Sequence, residues 1–326
     1  MINLGIIGLG GVTSYLHIPQ ALKSNKFNVI AAADVVTENP IAKRFQIQNY
    51  YTDYKELLKN SDVEAVLVSS PHHLHEEHIV AAFNAGKHVI IEKPISRNLR
   101  EAQNIKKAWE QSGKVGMVAF CQRFYPKHAH VKALLDENKL GKPLSARIDH
   151  YQNFNPMENS WWRSEEKVGG GAVIGSGVHR LDLLRWFFGE AVSVYAKAVK
   201  MPRRLEAEAC VHAVIEFHSG VIANFSINWA AYKYACNENF SLAAEDGSIF
   251  IGAADKICLK EVDGGALNDM THPTCQSMYE HFAECIENNK NPNPSIVEGY
   301  KSLQLVRAIY QSVETGCIVD PSTVTF

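Results

Sequence analysis

The chain has 326 residues, 46% hydrophobic and 21% charged, a globular composition long enough for two domains at the usual ~150 residues each. A net charge of −2 supplies no basic excess for a nucleic-acid backbone, so a sequence-independent duplex binder is excluded and no nucleic-acid partner is expected. Apolar stretches are strand-sized, well short of the ~18 residues of a membrane span, and the chain enters a strand without a signal-peptide pattern, so a cytoplasmic protein with no membrane partner is expected.

Seven scattered cysteines (121, 210, 236, 258, 275, 285 and 317) form no C-x-x-C pair and read as reduced, mostly buried thiols.

Residues 2–7 read as a strand, followed at once by Gly8-Leu9-Gly10-Gly11-Val12-Thr13 and a helical pattern through Leu22. Strand, glycine turn and helix are the context of a dinucleotide fingerprint. Gly8 makes the tight turn, Gly10 lets the backbone approach a pyrophosphate, and the free N–H groups of the helix start hold the anion. Gly11 and Val12 complete the candidate cradle, and Thr13 stands where a third glycine is usual.

A second strand over 29–33 ends in Asp34, 24 residues beyond Gly10 (34 minus 10) and close to the ~20-residue offset at which an acid meets the adenosine ribose. A carboxylate there accepts from ribose hydroxyls and repels a 2′-phosphate, so NAD is expected over NADP.

A third strand, 65–69, ends at Ser70-Pro71, and a helix over 75–85 follows with Gly86 as its carboxyl cap. His72, His73, His75 and His78 cluster here without the carboxylates or cysteines of a metal site, and no metal is expected. Ser70, Pro71, His72 and His75 are instead candidate cofactor contacts at a strand-to-helix turn.

Val89-Ile90-Ile91 is a buried parallel strand by its β-branched run. Glu92 and Lys93 sit just past its carboxyl end, where open parallel sheets bind ligands, and Pro94 stiffens the exit. An amphipathic segment over 99–111 and a strand over 115–120 complete an alternating β/α half, a doubly wound parallel sheet over 1–121.

The pattern then changes. Segments rich in β-branched and aromatic residues over 146–154, 192–199, 210–217, 221–229 and 240–244, with a turn at Phe217-His218-Ser219-Gly220-Val221, predict consecutive antiparallel strands in one sheet. One helix interrupts them over 178–188, and two more close the chain. The fold class is α/β: an N-terminal Rossmann sheet, then an α+β domain over 122–326 with a large open, mostly antiparallel sheet.

Arg123, Tyr125, Trp162 and Arg163 are candidate substrate contacts, since an aromatic face and a charged group able to form paired hydrogen bonds can both hold a small polar ligand. The competing reading packs the Trp161-Trp162 pair and uses Arg163 to tether its loop. Tyr232, Lys233 and Tyr234 are further, weaker candidates.

Gly169-Gly170-Gly171-Ala172-Val173-Ile174-Gly175-Ser176-Gly177-Val178-His179-Arg180-Leu181-Asp182 leads into the interrupting helix. Together with the Gly8 turn, Ala85-Gly86-Lys87-His88 before Glu92-Lys93-Pro94, Gln122 to Pro126, Leu140 to Pro143 and Ser312 to Gly316, it resembles the Gfo/Idh/MocA family of sugar and inositol oxidoreductases over nearly the whole chain.

The resemblance implies that Lys93 and His179 are catalytic, with His179 also touching substrate, and that the Lys93-Pro94 bond is cis. It implies NAD, a small carbohydrate or polyol substrate, and a homodimer or homotetramer formed through the C-terminal sheet. The chemistry agrees: an imidazole, with its ordinary pKa near ~6.5, suits removal of an O–H proton, and a lysine stabilises a developing alkoxide. Many members carry an aspartate where this chain has Gly175. A polar side chain or ordered water is expected to fill that space. The departure keeps one alternative in view, a catalytically impaired NAD-binding sugar sensor, and a second alternative is an NAD-dependent glycosidase that oxidises its sugar transiently and returns the hydride.

Overall fold

The computed structural model describes residues 1–232, 237–252 and 276–325, and the backbone alone of 256–259. Lys233, Tyr234, Cys236, Cys275 and the side chain of Cys258 therefore lie outside the described residues. The chain divides into two compact units, Met1–Cys121 with Gln276–Lys301, and Gln122–Cys275 with Ser302–Phe326.

The first unit holds a six-stranded parallel sheet. Its strands are β1 (Ile2–Ile7), β2 (Phe27–Ala33), β3 (Asn49–Tyr51), β4 (Ala65–Val68), β5 (His88–Ile91) and β6 (Gly116–Val118), in the order β3-β2-β1-β4-β5-β6. The order reverses beside β1, and at that switch point the carboxyl edge of such a sheet opens to a ligand. Ala65 to Val68 and Val89 to Ile91 are fully buried, as strands covered on both faces must be.

The helix Leu99–Ser112 is fixed at both ends. Asn98 accepts from the Glu101 N–H, and Gly113 closes the helix in the left-handed region at φ 64°. The strand expected over 115–120 is reduced to Gly116–Val118. The short β3 and the helices Pro40–Arg44 and Tyr54–Lys59 carried too little periodic pattern to be anticipated.

The expected division, everything after residue 121 in a second domain, needs correction. Residues 276–301 return to the first unit because its sheet needs cover there. Tyr279 and Phe282, both fully buried on the helix Met278–Glu287, pack on Phe27 at ring-centroid distances of 5.5 and 6.0 Å. The long helix Ile296–Thr315 starts in this unit, with Gly299 pressed against Val118 and Ile95, and ends in the other.

The second unit carries β7 (Pro143–Tyr151), β8 (Ala191–Lys200), β9 (Glu208–Phe217), β10 (Ile222–Asn228), β11 (Asn237–Ala244), β12 (Gly247–Ile251) and β13 (Lys256–Leu259). They form one sheet in the order β13-β12-β11-β7-β10-β9-β8. The expected hairpin joins β9 to β10, with the Phe217 N–H donating to Val221 O and Gly220 at φ 83°.

One pairing departs from expectation: β10 runs parallel to β7. The hairpin fixes the direction of β10 against β9, and the edge left to β7 meets that strand in the same sense. The register aligns Val194, Ile215, Ala223, Ala146, Leu242 and Ile249 across the sheet, and all six are buried. The neighbouring row, Tyr195, Val214, Asn224, Arg147, Ser241 and Phe250, turns the other way, with Tyr195, Val214 and Phe250 exposed.

The helix Val178–Phe188 packs on the buried face and coincides with its expected span. The helix Pro126–Asp136 was not anticipated, because its Lys and His residues blur the apolar stripe. No helix among the described residues is long and apolar enough to cross a membrane.

Candidate active site

In the first unit the glycine turn is built as a dinucleotide cradle requires. Gly8 has φ 95°, and a Cβ there would lie 2.6 Å from Ser69 O, so only glycine lets β1 turn this close to the end of β4. Gly10 and Gly11 face open space, with nothing within 4 Å of a Cβ built on either. Thr13 is fully buried, and its hydroxyl donates to Gly8 O at 2.9 Å and lies 3.0 Å from Ser69 Oγ. That explains a threonine in the third glycine's place: its methyl fits the packing and its hydroxyl ties the turn down.

Asp34 meets the turn directly, with Oδ2 accepting from the Leu9 N–H at 2.8 Å and Oδ1 from the Val36 N–H at 3.0 Å. The candidates Gly8, Gly10, Gly11, Val12, Thr13 and Asp34 thus converge at the carboxyl end of the strands, and the open space over Gly10 and Gly11 fits the close approach of a dinucleotide.

Lys93 follows β5 as expected, and the Lys93-Pro94 peptide is cis. Glu92 is buried. One oxygen accepts from the Lys93 N–H at 3.0 Å, and the other lies 2.7 Å from His17 Nε2, whose Nδ1 is 2.9 Å from the Tyr279 hydroxyl. Burial pushes the Glu92 carboxyl up, but the His17 hydrogen bond and the nearby His17, Lys93 and His75 outweigh it and hold the group below the usual carboxylate range.

His75 is fully buried with its ring nitrogens 2.8 Å from Pro94 O and 2.8 Å from Ser70 O, so it braces the turn from beneath. Burial lowers its pKa, opposed by these two carbonyls, which only accept. The Ser70 hydroxyl is 2.9 Å from His78 Nδ1, and burial pushes His78 down to about 4. His72 is buried in the short turn that Pro71 begins. His75 therefore ties Ser70 to Pro94 and braces the framework around Lys93-Pro94. No cluster of three or more metal-ligating side chains occurs among the described residues.

In the second unit the glycine run wraps a buried pair, Glu208 and Tyr310. A Cβ on Gly170 would fall 2.2 Å from the Tyr310 hydroxyl, and one on Gly171 2.0 Å from Glu208 O. The Tyr310 hydroxyl donates to Glu208 Oε1 at 3.0 Å and accepts from the Gly171 and Ile174 N–H groups at 3.2 and 3.3 Å. Glu208 Oε1 also accepts from the Val173 N–H at 2.9 Å. These bonds anchor the amino end of the continuous helical segment, wide-turned over Val173–Gly177 and α-helical from Val178, that carries half-buried His179. Burial raises Glu208 to about 7.

Two expectations change here. Arg123 is no open substrate contact: its guanidinium is buried and forked onto Asp182, with both N–O distances 2.7 Å, and Ser302 Oγ adds a third bond to that carboxylate at 3.0 Å. The space beside Gly175 is not taken by the expected polar side chain. It is filled by indole, since a Cβ on Gly175 would lie 2.3 Å from Trp229 Cη2 and 3.2 Å from Trp162 Cζ3. Arg163 follows the tether reading, donating to Arg203 O at 3.0 Å. Tyr125 is 38% exposed and its ring lies 6.0 Å from that of His128.

Sequence reasoning missed His17, Tyr279, Glu208, Tyr310 and Trp229. His17 could have been found four residues after Thr13 on the same helical face; the others come together only through long-range packing.

Residues 2–120 match a family model described as "Oxidoreductase family, NAD-binding Rossmann fold", and residues 128–250 match the "GFO/IDH/MocA C-terminal domain". The chain is similar to the scyllo-inositol 2-dehydrogenase (NAD(+)) of Bacillus subtilis, at 24% identity over 97% of this chain and 95% of that protein. It is similar to the levoglucosan dehydrogenase of Pseudarthrobacter phenanthrenivorans, at 32% identity over 60% of this chain and 53% of that one. The chain spans little more than half the length of two of the curated relatives it matches, 58% and 53%. Among solved structures, a levoglucosan dehydrogenase in complex with NADH superposes with a TM-score of 0.90, at 23% identity over 99% of this chain and 100% of that one, a likeness of fold.

Proposed function

The chain belongs to the GFO/IDH/MocA oxidoreductase family, and from that premise we propose that it is an NAD-dependent dehydrogenase of a sugar, sugar derivative or inositol, working between a hydroxyl and a carbonyl. The observation that carries the reading lies within the first unit: an open glycine turn bound to Asp34, on the same sheet edge as a strand that delivers Glu92 and Lys93. The relatives named for scyllo-inositol and levoglucosan support the substrate class.

NAD, when bound, accepts the hydride that leaves the alcohol carbon. The backbone amides of the glycine turn would hold its pyrophosphate, and Asp34 would accept from its ribose hydroxyls. His179 takes the hydroxyl proton on its imidazole, and Lys93 Nζ donates a hydrogen bond to the oxygen as negative charge develops there. Trp162 offers an aromatic face to the substrate. Exposed Tyr195, Val214 and Phe250 on the open sheet face support assembly into a homodimer or homotetramer, which light scattering on the purified protein tests.

The experiment is a panel of inositols, aldoses, sugar acids and glycosides with NAD and NADP, reading NADH formation and bond cleavage together. Stoichiometric NADH is expected. His179→Ala should lower kcat by roughly 10²–10⁴-fold with NAD affinity nearly unchanged, and Lys93→Met should act similarly. NAD should bind more tightly than NADP, with Asp34→Ala narrowing the gap in calorimetry. Glycoside cleavage without net NADH, or tight sugar binding without hydride transfer, would replace this reading by the glycosidase or the sensor.

A further inference from the structure

Gly175 lies four residues before His179, about one helical turn, so the two positions share a face of the segment. What that face meets at Gly175 is a cluster of four aromatic rings. Phe154 and Trp229 have centroids 4.2 Å apart, Trp161 stacks on Trp162 at 4.2 Å, and Trp162 stands edge-on to Phe154 at 5.5 Å and to Trp229 at 5.9 Å.

The cluster is held from the backbone. The Phe154 N–H donates to Trp229 O at 3.0 Å, and Ser160 Oγ accepts from the Trp162 N–H at 3.3 Å. Trp229 is 2% exposed and spends its one donor on Ser176 Oγ at 2.7 Å, so it offers a neighbour only carbon surface. Phe154, Trp161 and Trp162 are half-buried and present the outer side of the same wall. Any β-carbon at position 175 collides with Trp229, so this chain cannot carry a carboxylate there without losing the indole.

We propose that this aromatic wall selects the substrate beside His179, and that the ring it takes presents C–H surface to it: an anhydro, deoxy or unsaturated cyclic alcohol in preference to a fully hydroxylated ring. The proposal rests on the dehydrogenase reading and on His179 facing the substrate. A ring face of C–H groups loses nothing against indole. A hydroxyl pointed at the same wall leaves water for aromatic carbon and finds no acceptor in the rings, since indole N–H groups only donate, Trp229 Nε1 is committed to Ser176 and a side chain at position 175 is barred. Apolar surfaces reject an added hydroxyl by no more than about 10²-fold, which bounds the expected preference.

The test uses the full chain with NAD and matched pairs of substrates: a 1,6-anhydrohexose against its parent hexose, and a deoxyinositol against the corresponding inositol. The expected result is a kcat/KM higher by roughly 10- to 100-fold for the less hydroxylated member of each pair. Trp162→Ala should shrink that ratio severalfold while Trp162→Phe keeps most of it. Calorimetric titration of the same pairs into the NAD-saturated protein gives a second readout.

Equal or better turnover of the fully hydroxylated members overturns the inference and leaves the dehydrogenase reading standing. Absence of hydride transfer from every compound fails the dehydrogenase reading, and the calorimetric order of each pair then decides the inference by itself: equal affinities or tighter binding of the fully hydroxylated member overturn it.

Discussion

Glu208 is satisfied by neutral donors, the Tyr310 hydroxyl and the Val173 amide, and burial keeps its proton on up to a pH of about 7. Its folded pKa lies above the ordinary 4.5, so the folded state binds the extra proton between those values. The stability it contributes is complete below about pH 4.5 and is lost as pH rises through about 7, a change on the order of 3 kcal/mol. Thermal melts of Glu208→Gln should therefore lose less stability between pH 5 and 8 than melts of the unmodified chain, and an equal loss in both would refute the assignment. The carboxyl of Glu92 goes the opposite way. It stays ionised because His17 supports it, so His17→Ala should cost about 1–3 kcal/mol in urea unfolding by removing a partner from a buried charge.

The helical segment bearing His179 gains its fixed start from a hydroxyl more than a hundred residues away. Tyr310→Phe keeps the ring but orphans the Gly171 and Ile174 amides, and should destabilise by roughly 1–3 kcal/mol on denaturant titration. If His179 carries proton transfer, the same variant should lower kcat more than it raises KM. How much of such an arrangement can be read beforehand depends on the range of the interaction. Gly8 to Asp34 and Val89 to Pro94 were legible because a strand, its turn and the next helix are neighbours in the chain. Alternation along 208–217 and 222–228 gave the faces of those strands but not their partners, so the parallel match of β10 with β7 was invisible. The tryptophans were visible as residues. Their convergence on Gly175 was not, because it brings together segments near 154, 162, 175 and 229 whose meeting no local pattern encodes.

Neither compact unit is a continuous stretch of chain. A fragment of residues 1–121 lacks Tyr279 and Phe282 over Phe27 and should bind a hydrophobic dye or aggregate, whereas adding 276–301 through a short linker should restore a cooperative melt. Each missing aromatic corresponds to a truncation of the kind that costs about 3–5 kcal/mol in a buried core. The return of 276–301 also sets an order of events during synthesis. The Rossmann sheet is complete when residue 121 leaves the ribosome, but its closing helix lies 155 residues further on (276 minus 121). At roughly 5–20 residues per second that is a delay of about 8–30 s in which Phe27 has no partner rings. For that interval the nascent chain displays an apolar patch of its sheet face to any chaperone present, and a slowed ribosome between the two segments should lengthen the chaperone's hold on it.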